Sequence, residues 1–120
     1  MRRVLLVSVV VAALGTAAVA LAATTIVISA DKSKLAFAKK ALSAKAGKVN
    51  LKMPNPSVIP HDIAIRKGVG AKGKTIAKGQ VVPKGGTSKL TVTLKAGKYR
   101  YFCSVPGHEP SGMWGILTVK

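Results

Sequence analysis

In Thr87-Ser88-Lys89-Leu90-Thr91-Val92-Thr93-Leu94, the apolar residues Leu90, Val92 and Leu94 fall at every second position, with Thr between them. That is the period of a half-buried β-strand, whose successive side chains point to opposite faces. Val49-Asn50-Leu51-Lys52-Met53 repeats it. Thr24 to Ser29 is β-branched and reads as a first strand. Leu35-Ala36-Phe37 and the stretch around Leu42 alternate as well. Ile59 to Ile65 reads as extended, with Ile63 and Ile65 on one face, and Trp114 to Val119 closes the series. Turn residues punctuate these runs at Ala46-Gly47, Pro54-Asn55-Pro56 and Ala96-Gly97. The last of these is expected to return Tyr99 to Cys103 as a hairpin partner of the preceding strand. Seven or eight short strands with regular turns predict an all-β, Greek-key β-sandwich. Arg66 to Lys89 breaks the rhythm with glycines at 68, 70, 73, 79, 85 and 86. It is expected to be a long, mobile, solvated connection in which only Val81-Val82 forms a strand.

The N-terminus has the layout of an export signal. Met1-Arg2-Arg3 is a basic start, Val4 to Leu14 an apolar run, and Ala20-Leu21-Ala22 a small-x-small cleavage pattern. Residues 1–22 are therefore expected to be a signal peptide and 23–120 the folded domain. The segment is uncharged from Val4 to Ala30, long enough to be kept as a membrane anchor instead. Either outcome places the domain outside the cytoplasm, in a periplasm or at the outer face of the cytoplasmic membrane.

Charge and donor counts restrict the chemistry further. Twenty Lys and Arg oppose three acids, a formal charge of +17 over 120 residues. Such a field attracts anionic partners: an acidic protein face, an anionic membrane or a cell-wall polymer. Nucleic acid is not expected, since the chain is exported and offers neither a recognition helix nor an exposed aromatic row. One cysteine, Cys103, excludes an internal disulfide and paired-cysteine zinc sites. There are two histidines, so a metal site of ordinary donors must use nearly all of them.

Those scarce donors cluster. Cys103-Ser-Val-Pro-Gly-His108-Glu-Pro-Ser-Gly-Met113 sets a thiolate, an imidazole and a thioether at C-x4-H-x4-M, between the end of one strand and the start of the next. The other imidazole, His61, lies upstream in Ile59-Pro60-His61-Asp62, at the start of a further strand. Two imidazoles and a thiolate with a weak axial thioether form the blue-copper donor set: the sulfurs suit Cu(I), and the imidazoles also suit Cu(II). The expected metal ligands are His61, Cys103, His108 and Met113, around one type 1 copper. Trp114 is read as packing beside the site, Met53 as a strand-end core residue, and Glu109 as a local charge without a catalytic role.

Tyr101-Phe-Cys-Ser-Val-Pro-Gly-His and Gly-Met-Trp-Gly-Ile-Leu-Thr-Val-Lys120 resemble the cupredoxin family, the plastocyanin-, azurin- and auracyanin-like blue-copper proteins. The resemblance covers roughly residues 25 to 120, and the x4-H-x4-M spacing is similar to that of auracyanin-like bacterial members. It implies a single-electron carrier between extracytoplasmic redox partners, acting as a monomer and not as an enzyme. Fold relatives that catalyse need further histidine clusters, and this chain has no histidines to spare. The other binding role left open is a copper reservoir or chaperone. In the family Asn usually follows the upstream histidine. Here the residue is Asp62, which puts in question the hydrogen bond that ties the two ligand loops.

Overall fold

The structure, a computed structural model, describes residues 22–120 together with Gly15. The expected signal segment, 1–22, thus lies almost wholly outside the described residues. Among those residues, all regular structure is strand: β1 (Thr24–Val27), β2 (Ala41–Ala44), β3 (Gly47–Pro54), β4 (Ala64–Lys67), β5 (Thr75–Lys78), β6 (Thr87–Leu94), β7 (Gly97–Phe102) and β8 (Trp114–Val119). No helix among them is long and apolar enough to cross a membrane.

The strands form two sheets, one in the order β1-β3-β6 and one in the order β2-β8-β7-β4-β5. Alternation carries over into packing. Val49, Leu51 and Met53 of β3 and Leu90 and Leu94 of β6 face Ile65, Tyr99, Tyr101, Leu117 and Val119 of the larger sheet in one core. Full burial of such a side chain contributes about 1.5–3 kcal/mol, which makes this cluster the main stabilising element. Tyr101 is its largest fully buried side chain. Its ring packs on Phe37 at 5.3 Å between centroids, and its hydroxyl donates to the Lys39 carbonyl at 2.5 Å. Gly115 is its cross-strand partner, and any Cβ at 115 would enter the Tyr101 ring.

Three expectations are corrected. First, β6 and β7 are not a hairpin: β6 pairs with β3, and β7 pairs with β4 and β8. The Lys95–Ala96 connection crosses from one sheet to the other. Alternation reports which face is buried, and β6 and β7 both turn an apolar face to the same core, so the pattern does not distinguish sheet neighbours from facing layers. Second, Arg66 to Lys89 is not a solvated connection throughout. Arg66 and Lys67 belong to β4, Thr75–Lys78 forms the edge strand β5, and Val82 makes only an isolated bridge, to His61. Gly79 and Ser88 are buried, where Gly79 N–H donates to the Ile63 carbonyl and the Ser88 hydroxyl accepts from Ile63 N–H. Third, Leu35 to Phe37 is no strand beyond the Ala30–Phe37 bridge. Ile59 to Ile63 lies outside regular strand as well, although Ile63 and Ile65 are both fully buried.

Candidate metal centre

Pro54, Asn55 and Pro56 end β3, because proline cannot extend the ladder. Asn55 then organises the segment that follows. It is 2 % exposed; its amide donates to the carbonyls of Ile59 and Val82 at 2.9 and 3.0 Å, and its Oδ1 accepts the Ser57 N–H at 2.9 Å. His61 closes the segment with a two-way backbone bridge to Val82. The segment is thereby fixed on both sides before it delivers the imidazole.

The second donor segment leaves β7. Cys103 N–H donates to the Met113 carbonyl and Met113 N–H to the His108 carbonyl, both at 3.1 Å. Gly107 and Gly112 adopt the left-handed backbone, with φ of 84° and 115°, that such tight turning requires. His108 is half-exposed, whereas Cys103 and Met113 are fully buried.

The structure brings His61, Cys103 and His108 into one cluster. The two Nδ1 atoms are 3.1 Å apart, and the sulfur lies 3.8 Å from that of His61 and 3.4 Å from that of His108. A triangle with those sides has its centre about 2.0 Å from each corner, the length of an imidazole–metal bond. Three donor atoms packed this closely, two of them ring nitrogens that each present a lone pair when the ring is neutral with its proton on Nε2, fit a shared cation. Met113 is held beside Cys103 by their backbone bond, which places its side chain in the same buried region.

Burial also sets the protonation of these donors. Burial pushes the Cys103 thiol up to about 11, so without a metal it keeps its proton at neutral pH. Burial and the neighbouring His108 lower the His61 pKa, which favours the neutral imidazole that ligates. A bound cation reverses the thiol preference outright. The Nε2 of His61 is buried without a hydrogen-bond partner.

Asp62 makes the tie that its identity put in question. Its side chain is fully buried; Oδ1 accepts the Ser104 N–H at 2.6 Å and Oδ2 accepts the Ser104 hydroxyl. Asp62 N–H points at the Cys103 sulfur at 3.5 Å. Trp114 is half-buried, with Arg100 stacked 4.0 Å from its ring centroid and Lys40 at 5.5 Å. Glu109 is held by two buried arginines, Arg66 and Arg100. The sequence reading passed over this pair and Asn55. The only signal for Arg100 was its place between Tyr99 and Tyr101 on a strand buried on both faces.

Residues 24–120 match the family model for copper binding proteins of the plastocyanin/azurin family. The chain belongs to that family, and its cofactor is a single type 1 copper. Among solved structures it is similar to auracyanin from the photosynthetic bacterium Roseiflexus castenholzii, with 28% identity, 81% of this chain and 97% of that one covered, and a TM-score of 0.72. It is equally similar to auracyanin A, a "blue" copper protein of Chloroflexus aurantiacus, with 28% identity, 82% and 100% coverage, and a TM-score of 0.72. An azurin from Methylomonas sp. strain J shares the fold at 15% identity and a TM-score of 0.65, over 81% of this chain and 98% of that one. No curated protein matches the chain in sequence.

Proposed function

We propose that His61, Cys103 and His108 bind the copper ion, with Met113 as a weak axial ligand, and that the protein carries single electrons between redox partners outside the cytoplasm. The observation that carries this reading is the donor triangle, sized for one small cation and built from both histidines and the single cysteine. When bound, copper supplies one-electron chemistry between Cu(I) and Cu(II). The chain's own part is to hold the donors in one arrangement for both states. His61 is fixed by the Val82 bridge and the Asn55 bonds, and Cys103 by Met113 and Asp62. Donors that move little between oxidation states keep the reorganisation energy small.

His108 supplies the contact with partners. Its Nδ1 is committed to the cluster, so its exposure falls on the rest of the ring, among the exposed Pro106, Gly107 and Pro110. Val58, Ile59 and Pro60, exposed just before His61, extend an apolar rim. Such a rim permits close approach of a partner, and the positive charge of the surrounding surface favours an acidic one. With both histidines used, the chain has none for a second, catalytic metal.

The test is spectroscopy of the copper-loaded protein followed by stopped-flow electron exchange. Intense visible absorption of the Cu(II) form, a narrow EPR hyperfine splitting and rapid reduction and reoxidation are expected. Tight copper binding without intense absorption would replace this reading with a copper reservoir. Cys103→Ser is expected to abolish the blue colour, since oxygen cannot supply the thiolate charge transfer.

A further inference from the structure

Arg66 of β4 and Arg100 of β7 are direct cross-strand partners. Their side chains are only 8 % and 10 % exposed. Like charges opposite one another on a sheet are destabilising, and buried ones more so. Both guanidiniums turn to one atom, Oε2 of Glu109: Arg66 Nη1 at 2.5 Å and Arg100 Nε at 2.7 Å. Arg66 lies 3.7 Å from the Phe102 ring centroid, and Arg100 also donates to the Val69 carbonyl at 3.1 Å. Arg66 Nε is left buried without a partner. An apolar trio of the same volume would often be as stable or more so. The triad therefore calls for a role other than stability.

Its place in the fold supplies that role. Among the described residues, the hydrogen bonds of the segment from Val105 to Gly112 run within the 103–113 loop, apart from the contacts of the His108 ring, those of the Glu109 carboxylate and the short-range bond from Trp114 N–H, at the start of β8, to the Gly112 carbonyl. Between the Asp62–Ser104 tie at its start and the Trp114–Gly112 bond at its end, the loop has one polar anchor to the sheet, the carboxylate of the residue that follows His108. We infer that Glu109 is a positioning residue: clamped by Arg66 and Arg100, it fixes the loop so that His108 stays at the cluster whether or not a metal is bound. The inference rests on the proposed ligand role of His108.

The clamp is tested by Glu109→Ala, first in the metal-free protein. Amide hydrogen exchange at His108, Ser111 and Gly112 should speed up about tenfold, given the strength of charge-assisted hydrogen bonds, while the β7 amides stay unchanged. In the copper-loaded variant, loss of metal to a chelator should also be about tenfold faster, with an altered Cu(II) EPR signal. Wild-type exchange and wild-type metal loss would overturn the inference. If Glu109→Ala does not fold, the apolar variant Arg66→Met/Arg100→Met/Glu109→Leu keeps the volume and removes the buried charges. Fast loop exchange in that protein supports the clamp, and wild-type exchange shows that packing alone holds the loop. Failure of the wild-type protein to bind copper would sink the ligand assignment, while the metal-free exchange would still report on the clamp.

Discussion

The Asp62 carboxylate accepts both the N–H and the hydroxyl of Ser104, so the segment carrying His61 and the loop carrying His108 are joined directly behind Cys103. Asp62→Ala removes both bonds and leaves the half-buried Ser104 N–H without its acceptor. It should destabilise the metal-free protein by about 3 kcal/mol, as expected for lost hydrogen bonds to a buried charged group. Asp62→Asn keeps an acceptor for the N–H, and the Ser104 hydroxyl can turn to accept from the new amide. It should cost no more than about 1 kcal/mol. Urea unfolding of the three proteins checks the order; equal losses for Ala and Asn would mean that the tie depends on charge.

Much of this site was legible in the sequence because its donors are rare. With one cysteine and two histidines, a metal centre had little choice of ligands, and C-x4-H-x4-M fits a loop between adjacent strands. Alternation also placed β3 and β6, whose inner faces bury Val49, Leu51 and Met53, and Leu90 and Leu94. What alternation could not show was pairing. Tyr99 and Leu94 face one core from opposite sheets, yet the same pattern suits a hairpin. The polar supports were hidden for a different reason. Asn55 read as a strand breaker between prolines, Arg66 as part of a solvated connection, and Arg100 only as a strand residue. Their burial depends on partners distant in the chain: Val82 for Asn55 and Glu109 for the arginines.

Alkaline pH should weaken the metal-free protein. Burial raises the Tyr101 phenol from 10.0 to about 12 and the Cys103 thiol from 9.0 to about 11. In both, the folded pKa lies above the unfolded value, so the unfolded chain releases protons that the folded one retains. Stability from these groups is complete below about pH 9 and falls as pH rises, until both are ionised above about pH 12. Urea midpoints from pH 8 upward should decline, and Tyr101→Phe should flatten the upper part of the decline. Copper loading should remove the thiol's share, because the bound sulfur has already lost its proton. A midpoint independent of pH up to 12 would contradict the burial of both groups.

Met113→Leu should leave the protein folded and blue. Leu is close in volume to Met, so the buried position tolerates it at a cost below about 1.5 kcal/mol. The thioether donates weakly, and more to Cu(II) than to the softer-liganded Cu(I) state, so its loss should raise the reduction potential. Voltammetry and the visible spectrum check the two halves separately. A lowered potential would remove Met113 from the axial position.

With Arg2 and Arg3 removed along with residues 1–22, the formal charge is +15. The three acids do little to offset it at the surface. Asp31 is engaged with the N–H groups of Ser33 and Lys34, Asp62 is buried against Ser104, and Glu109 is held between two arginines. Among the described residues no acidic patch flanks His108, and the proposed exchange face is expected to share the overall positive sign. Steering of this kind speeds encounter with an acidic partner by roughly 10- to 1,000-fold at low salt. Screening sets in with a Debye length near 10 Å at about 0.1 M. The second-order rate constant for electron exchange with an acidic redox protein should therefore fall as salt rises, and that with a basic cytochrome should increase. Flat salt series for both partners would assign the lysines to solubility or surface adhesion, and a rising rate with the acidic partner would mean that docking uses a face other than that of His108.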